Sequence, residues 1–264
     1  MSTIEPGELK QILDLHRKWV YGDADGKRAV LTDADLTRAD LTDADLTYAV
    51  LTDADLTRAD LTRAVLTDAD LTGADLTGAD LTDADLTGAD LTDADLTYAD
   101  LTRADLTRAV LTGADLTRAV LTGADLTRAD LTDAVLTRAI LTGADLTGAV
   151  LTPIRDDLWA VLSASPAEVP ALRAALAEGR VDGSTYEGEC ACLVGTLANA
   201  RRCSYDAIPG LKPASQRAAE RFFIAIKRGD TPQTSQFSRI ALSWVDDWLH
   251  RIRGAFAPVV EVGA

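Results

Sequence analysis

Residues 69–83 read Ala-Asp-Leu-Thr-Gly-Ala-Asp-Leu-Thr-Gly-Ala-Asp-Leu-Thr-Asp, and the same five-residue phrase runs without insertion from Ala29 to Pro153. Every fifth residue from Ala29 to Ala149 is Ala, every fifth from Leu31 to Leu151 is Leu, and every fifth from Thr32 to Thr152 is Thr, in 25 consecutive copies. The period excludes the common elements. On an α-helix successive leucines would step by roughly 140° and spread around the whole circumference, leaving no apolar face. On a flat strand an odd repeat would send alternate leucines to opposite sides of the sheet.

The pattern is consistent if Ala and Leu, two apart, point inward together and the chain turns a corner between each Leu and the next Ala. Repetition then winds a coil around a Leu-filled axis. The fifth position fits that corner: it is Gly at Gly73, Gly78, Gly88, Gly113, Gly123, Gly143 and Gly148 and Asp at several others, and both tolerate turn geometry. Each Leu taken from water contributes roughly 1.5 to 3 kcal/mol, so such an array needs no large aromatic core. Aromatics are indeed only 5% of the 264 residues.

These residues resemble the pentapeptide-repeat family, whose motif is a small residue, Asp or Asn, Leu or Phe, a small polar residue, then any residue. The resemblance covers 125 of the 264 residues. It implies a β-solenoid, a right-handed quadrilateral β-helix with four pentapeptides per coil, about six coils in all and about 30 Å long at roughly 4.8 Å per coil. Solenoid ends expose unpaired backbone and need caps. Residues 8–21 place Leu9, Ile12, Leu13, His16, Trp19 and Val20 at helical spacing and resemble the helix that often precedes such repeats. Three regions follow: an amino-terminal helical cap at 1–28, the repeat solenoid at 29–153, and an α-helical carboxyl-terminal domain at 154–264. In that last region helices are expected at 156–162, from a Ser165/Glu168 capping box to residue 178 before Gly179, and at 187–201, 216–228 and 235–253.

The chain carries a formal charge of −16. That argues against direct binding of nucleic acid or an anionic membrane and in favour of a protein partner with a basic surface. Residues 29–153 hold 24 Asp and 8 Arg, while the rest of the chain holds 18 acidic and 18 basic groups, so all of the excess charge lies on the repeats. Over about 30 Å this is roughly one negative charge per 1.9 Å, against about one per 1.7 Å in duplex DNA. The resemblance implies a matching partner, because some pentapeptide-repeat proteins, including those linked to quinolone resistance, bind DNA gyrase in place of DNA. Unlike those relatives, this array carries no projecting loop and is followed by about 110 further residues.

Charge is also polarised along the array: residues 29–93 carry 16 Asp and 3 Arg, residues 94–153 carry 8 Asp and 5 Arg. The candidate acidic surface is Asp33, Asp35, Asp40, Asp43, Asp45, Asp53 and Asp93. Val110, Val120, Val135, Ile140 and Val150 replace Asp in the second half and form the candidate packing surface, for the helical domain or for a homodimer. With four repeats per coil, Asp33, Asp53, Asp93 and Asp133 form one corner stripe and Arg38, Arg58, Arg118 and Arg138 the next, which predicts an ion-pair lattice between them.

Catalytic chemistry has little to stand on. His16 and His250 sit in no nucleophile or metal motif, and Cys190, Cys192 and Cys203 read as buried or idle thiols in a reducing compartment. Asp23-Ala24-Asp25-Gly26 matches the start of a calcium loop without its closing Glu. No cofactor or metal is expected. The amino terminus lacks the plan of a secretion signal and no apolar run reaches roughly 18 residues, so a cytoplasmic location is expected. The functional reading is a non-enzymatic structural or protein-binding scaffold. Three alternatives stand beside it: a DNA-mimic inhibitor or protector of DNA gyrase, a consensus-engineered array without a natural ligand, and an enzyme activity in 154–264.

Overall fold

The computed structural model describes residues 2–184, 192–204 and 218–255. The chain forms two compact units, Met1–Ile154 and Arg155–Ala264. Among the described residues eight elements follow in order: β1 (Ser2–Thr3), α1 (Pro6–Val20), β2 (Ala34–Asp35), α2 (Thr152–Ala164), α3 (Val169–Ala177), α4 (Leu193–Arg201), α5 (Ala218–Ile224) and α6 (Gln236–Ala255).

In the first unit the residue between Ala and Leu pairs in parallel with the one twenty positions on, from Val30 with Val50 to Asp130 with Val150. Twenty residues are four pentapeptides, so one coil closes every four repeats. Three backbone bonds per pentapeptide tie neighbouring coils. The Leu31 N–H donates to the Val50 carbonyl at 2.7 Å, the Asp33 N–H to Thr52 at 3.0 Å, and the Val50 N–H to Ala29 at 3.0 Å. A fourth closes the corner, from the Ala34 N–H to the Leu31 carbonyl at 3.1 Å. That bond with a positive φ at the fifth residue is the pattern of a type II turn.

The corner accepts more than the sequence suggests. Arg38 and Tyr48 adopt φ of 58° and 62°, alongside the expected Gly and Asp. A side chain in this region costs on the order of 1 kcal/mol, and the Arg38 N–H bond to Thr57 at 3.0 Å helps hold it there. With two of every five residues spent on a turn, each side of the coil is too short for a long strand. The coils therefore join mainly through single-residue bridges, and β1 and β2 are the only named strands among the described residues. The four sides are called faces A to D, starting at Val30, Asp35, Asp40 and Asp45. In the middle coils Leu and Ala are sealed from solvent, at 0–1% exposure from Leu46 to Leu131.

Helix α1 and strand β1 stand at the amino-terminal end of the array. Helix α1 starts at Pro6 rather than residue 8, because proline at the first helical position loses no hydrogen bond. Ahead of it, β1 pairs in parallel with β2 and extends face B by one rung. His16 is fully buried and its Nδ1 accepts the Ala29 N–H at 3.0 Å, a donor with no preceding repeat to close its corner turn. Its buried Nε2 has no hydrogen-bond partner among the described residues.

The second unit departs from the expected helices in three places. The Ser165/Glu168 capping box does not form: α3 begins at Val169, and Glu168 makes no cap bond. Its carboxylate is instead gripped by Arg201 at 2.8 and 3.0 Å, a charged bidentate partner that outcompetes a backbone amide. Within the expected 187–201 helix, α4 begins only at Leu193, because Cys192 is extended; residues 187–191 lie outside the described residues. Helix α5 ends at Ile224 rather than residue 228, where the Ile226 carbonyl turns to accept the Gly183 N–H at 2.9 Å; residues 216 and 217 lie outside the described residues. Helix α2 runs longer than 156–162, and α6 matches 235–253 closely. Here the core is aromatic: Phe222 packs against Phe237 and Trp244, both at 5.1 Å between ring centres.

Burial, the largest influence on His16, holds its imidazole below the ordinary value of 6.5, against Asp45 and the Thr47 carbonyl. A lowered folded value means that the unfolded chain takes up the proton first. Stability is therefore complete above about pH 6.5 and falls as pH drops below it. Amide exchange at Ala29 should accelerate over that window beyond its intrinsic pH dependence. The step should vanish in His16→Gln; its persistence there would assign it to another group.

Candidate interaction surface of the solenoid

In the inner coils four of the five amides of a pentapeptide are used by the coil ladder and the corner turn. The fifth belongs to Thr, and the Asp two residues earlier takes it: the Thr97 N–H donates to Asp95 Oδ1 at 2.8 Å, and the Thr107 N–H to Asp105 Oδ1 at 2.9 Å. All seventeen Asp residues between Ala and Leu make this bond, at 2.8–3.2 Å. It is the local side-chain-to-backbone bond that makes Asp a turn former. Thr hydroxyls add to it, from Thr47 to Asp45 at 2.7 Å in the same repeat and from Thr67 to Asp85 at 3.2 Å across coils. Bonds from Thr57 and Thr62 hold the Asp55 and Asp60 carboxyls below the ordinary value of 3.8.

The solenoid's charge thus has two origins. The seventeen facial Asp account for all of the excess, since the corners carry seven Asp and eight Arg. Corner ion pairs do not form between the Asp33 and Arg38 stripes, contrary to the expected lattice: no pair joins them among the described residues. They form instead along one column, where Arg63 grips Asp43 with two bonds of 2.7 Å and Arg103 grips Asp83 at 2.7 and 2.5 Å. Adjacent stripes are separated by the width of a face, whereas residues twenty apart are separated by one coil, about 4.8 Å. In the Arg38 column, Arg118 stacks on the Tyr98 ring at 5.0 Å and bonds its hydroxyl.

Four of the predicted acidic residues come together. Asp35 opens face B, whose next bridges are Asp55, Asp75, Asp95 and Asp115, and Asp33, Asp53 and Asp93 stand on the corner beside it with Asp133. These nine carboxylates form a stripe without a basic residue in either column. Two glycines share that corner column. A Cβ at Gly113 would collide with the Asp93 carboxylate, so this glycine gives the charge its room as well as supplying a φ of 72°. The remaining predicted residues lie elsewhere: Asp40 on face C, Asp45 on face D, and Asp43 in its ion pair with Arg63. The apolar candidates are scattered over three faces. Val110 and Val150 lie on face A with Asp130 between them, Val135 on face B, and Val120 stacks on Ile140 on face C.

In the second unit His250 lines a cavity of about 380 Å³ with Leu249 and the ion-paired Arg173 and Asp246, whose closest contact is 2.5 Å. Cys192 is buried, and burial pushes its thiol up to about 11, which disfavours the reactive thiolate; Cys203 is half-buried. Cys190 lies outside the described residues. Among the described residues no three His, Cys, Asp or Glu side chains are placed to hold a metal ion.

The facial carboxylates should reveal their bond when one is removed. Asp105→Val should cost about 1 kcal/mol and speed exchange of the Thr107 amide, while Asp105→Asn, which keeps an acceptor, should recover most of both. Equal losses in the two variants would point to charge rather than the bond. Lowered carboxyls at Asp55 and Asp60 contribute stability that is present above their unfolded value of 3.8 and lost as pH falls below it. An acid transition below about pH 4, separate from the His16 step, should follow by circular dichroism.

Eight copies of the family model for pentapeptide repeats match the chain, over residues 27–63, 44–83, 74–113 and 114–152. Among solved structures it is similar to HetL, a pentapeptide repeat protein involved in heterocyst differentiation regulation from the cyanobacterium Nostoc sp. strain PCC 7120. Identity is 37%, over 48% of this chain and 68% of that one, with a TM-score of 0.40. It is similar also to a pentapeptide repeat protein of the Arabidopsis thaliana thylakoid lumen, at 34% identity over 48% of this chain and 77% of that one, TM-score 0.31. A third is QnrB1, a plasmid-mediated fluoroquinolone resistance protein, at 21% identity over 46% and 72% of the two chains, TM-score 0.40. No curated protein matches the chain. With eight copies of the family model matched over residues 27–152, the whole length of the array, the chain belongs to the pentapeptide-repeat family.

Proposed function

We propose that this protein is a non-enzymatic scaffold whose solenoid binds a protein partner through the acidic stripe of face B and its neighbouring corner. The observation that carries this reading is the run of nine carboxylates, Asp33, Asp35, Asp53, Asp55, Asp75, Asp93, Asp95, Asp115 and Asp133, with no cation in either column. The facial members are fixed by their Thr bonds, so a partner need not order them on binding. A basic protein surface is the complementary chemistry, and a surface shaped to hold duplex DNA is its most demanding form. DNA gyrase is accordingly the partner tested first.

Asp53 and Asp93 stand on corners and take no part in capping Thr, so Asp53→Lys with Asp93→Lys reverses charge without removing a structural bond. The parent protein should inhibit gyrase supercoiling, less so as salt rises, and the double variant should inhibit about tenfold less. Absence of inhibition at stoichiometric excess would exclude gyrase. In a cell extract the parent should retain basic proteins that the double variant loses; identical captures by the two would overturn the stripe as the binding surface.

A further inference from the structure

Below the first coil, each face-centre residue turns both backbone groups toward the coil before it. On face C the Asp60 N–H donates to Ala39 at 2.9 Å and its carbonyl accepts from Leu41 at 2.8 Å. Asp40 occupies the same position one coil earlier, so its N–H and carbonyl face out of the rim. Among the described residues neither has a partner. Ala39 is likewise only half-buried, whereas Ala59 and Ala79 beneath it are 1% exposed. On the neighbouring face the rim is closed by β1, a two-residue strand paired with Ala34–Asp35.

Above this open edge lies a groove of about 540 Å³, walled by Ile4, Leu9, Leu13, Leu36 and Ala39, with Asp40 on its border. Lys10 and Arg38 also line it. The two carboxylates of the groove are already engaged, Asp35 by the Thr37 N–H and Asp40 by the Thr42 N–H, both at 3.1 Å. Lys10 has only a 3.8 Å, solvent-exposed pair with Asp14, and Arg38 has no ion-pair partner among the described residues. The cations are therefore the groove's available charges.

We propose that this rim groove takes an extended peptide from a partner protein, added as a strand on the Asp40 edge. Alternate apolar side chains of the peptide would enter between α1 and the first coil, and a carboxylate would face Lys10 and Arg38. Each part of the site asks for that occupant: an unpaired edge asks for extended backbone, the apolar walls for side chains at a spacing of two, and the cations for acid. A docked helix would leave the edge unpaired, because its backbone groups are consumed internally.

The test is a library of random octapeptides displayed on phage, selected against the full-length protein, with selected peptides then synthesised and titrated by amide NMR. The expected result is enrichment of sequences with apolar residues two apart and an Asp or Glu, shifts at the Asp40 amide, and affinity reduced about tenfold or more in both Leu13→Glu and Asp40→Pro. Lys10→Glu, on an exposed site that leaves the fold intact, should weaken the acidic peptides alone. The proposal is overturned if no peptide is enriched, if bound peptides leave the Asp40 amide unmoved and tolerate Asp40→Pro, or if Lys10→Glu changes nothing.

Discussion

One amide in every pentapeptide has no place in the backbone ladder. The Leu, corner and face-centre amides bond between coils and the Ala amide closes the turn, so the Thr amide must find its acceptor in a side chain or in water. Asp two residues back is the shortest side chain that reaches it with a carboxylate. Where Val or Ile stands instead, at eight positions, the Thr amide has no such bond among the described residues, and these Thr are half-buried or exposed, within reach of water. The facial Asp is thus a structural choice repeated seventeen times, and the acidity of the rod follows from it.

That origin divides the surface into two kinds of charge. Facial carboxylates are set by the needs of folding, whereas corner residues are held by backbone bonds that ignore their side chains. Corners are consequently where sequence varies, through Asp, Arg, Gly and Tyr. From residue 29 to 93 the corners carry six Asp and three Arg; from 94 to 153 they carry one Asp and five Arg. A partner reading faces meets acid along most of the rod, and one reading corners meets acid first and then base. Face B and its corner are where both kinds agree.

The second unit follows other rules. Its helices meet through Phe222, Phe223, Phe237 and Trp244, so a chain poor in aromatics concentrates them where no repeat supplies a ladder. Irregular packing also lets distant side chains compete for local partners. Arg201, thirty-three residues away, draws Glu168 from the helix start that the Ser165-to-Glu168 spacing advertises, and Ser165 Oγ is left buried without a hydrogen bond.

The sequence by itself determined the local geometry of the array, because a strict period of five admits neither helix nor flat strand and demands an inward Ala and Leu with a corner between them. It also located the net charge, a property of composition, and the helix before the repeats, whose apolar spacing is local. Which charges meet was decided only by tertiary structure. Closure after four repeats makes residues twenty apart neighbours at about 4.8 Å and keeps neighbouring corners a face apart, so ion pairs run along the axis from Asp43 to Arg63 and from Asp83 to Arg103. The family resemblance, with four repeats per coil, already placed Asp33, Asp53 and Asp93 in one stripe; the structure sets Asp35 beside them and spreads Val110, Val120, Val135, Ile140 and Val150 over three faces. The pairing of β1 with the first coil and the bond from Ala29 to His16 arise in the same way, from an open rim whose backbone groups take whatever partner the folded chain brings within reach.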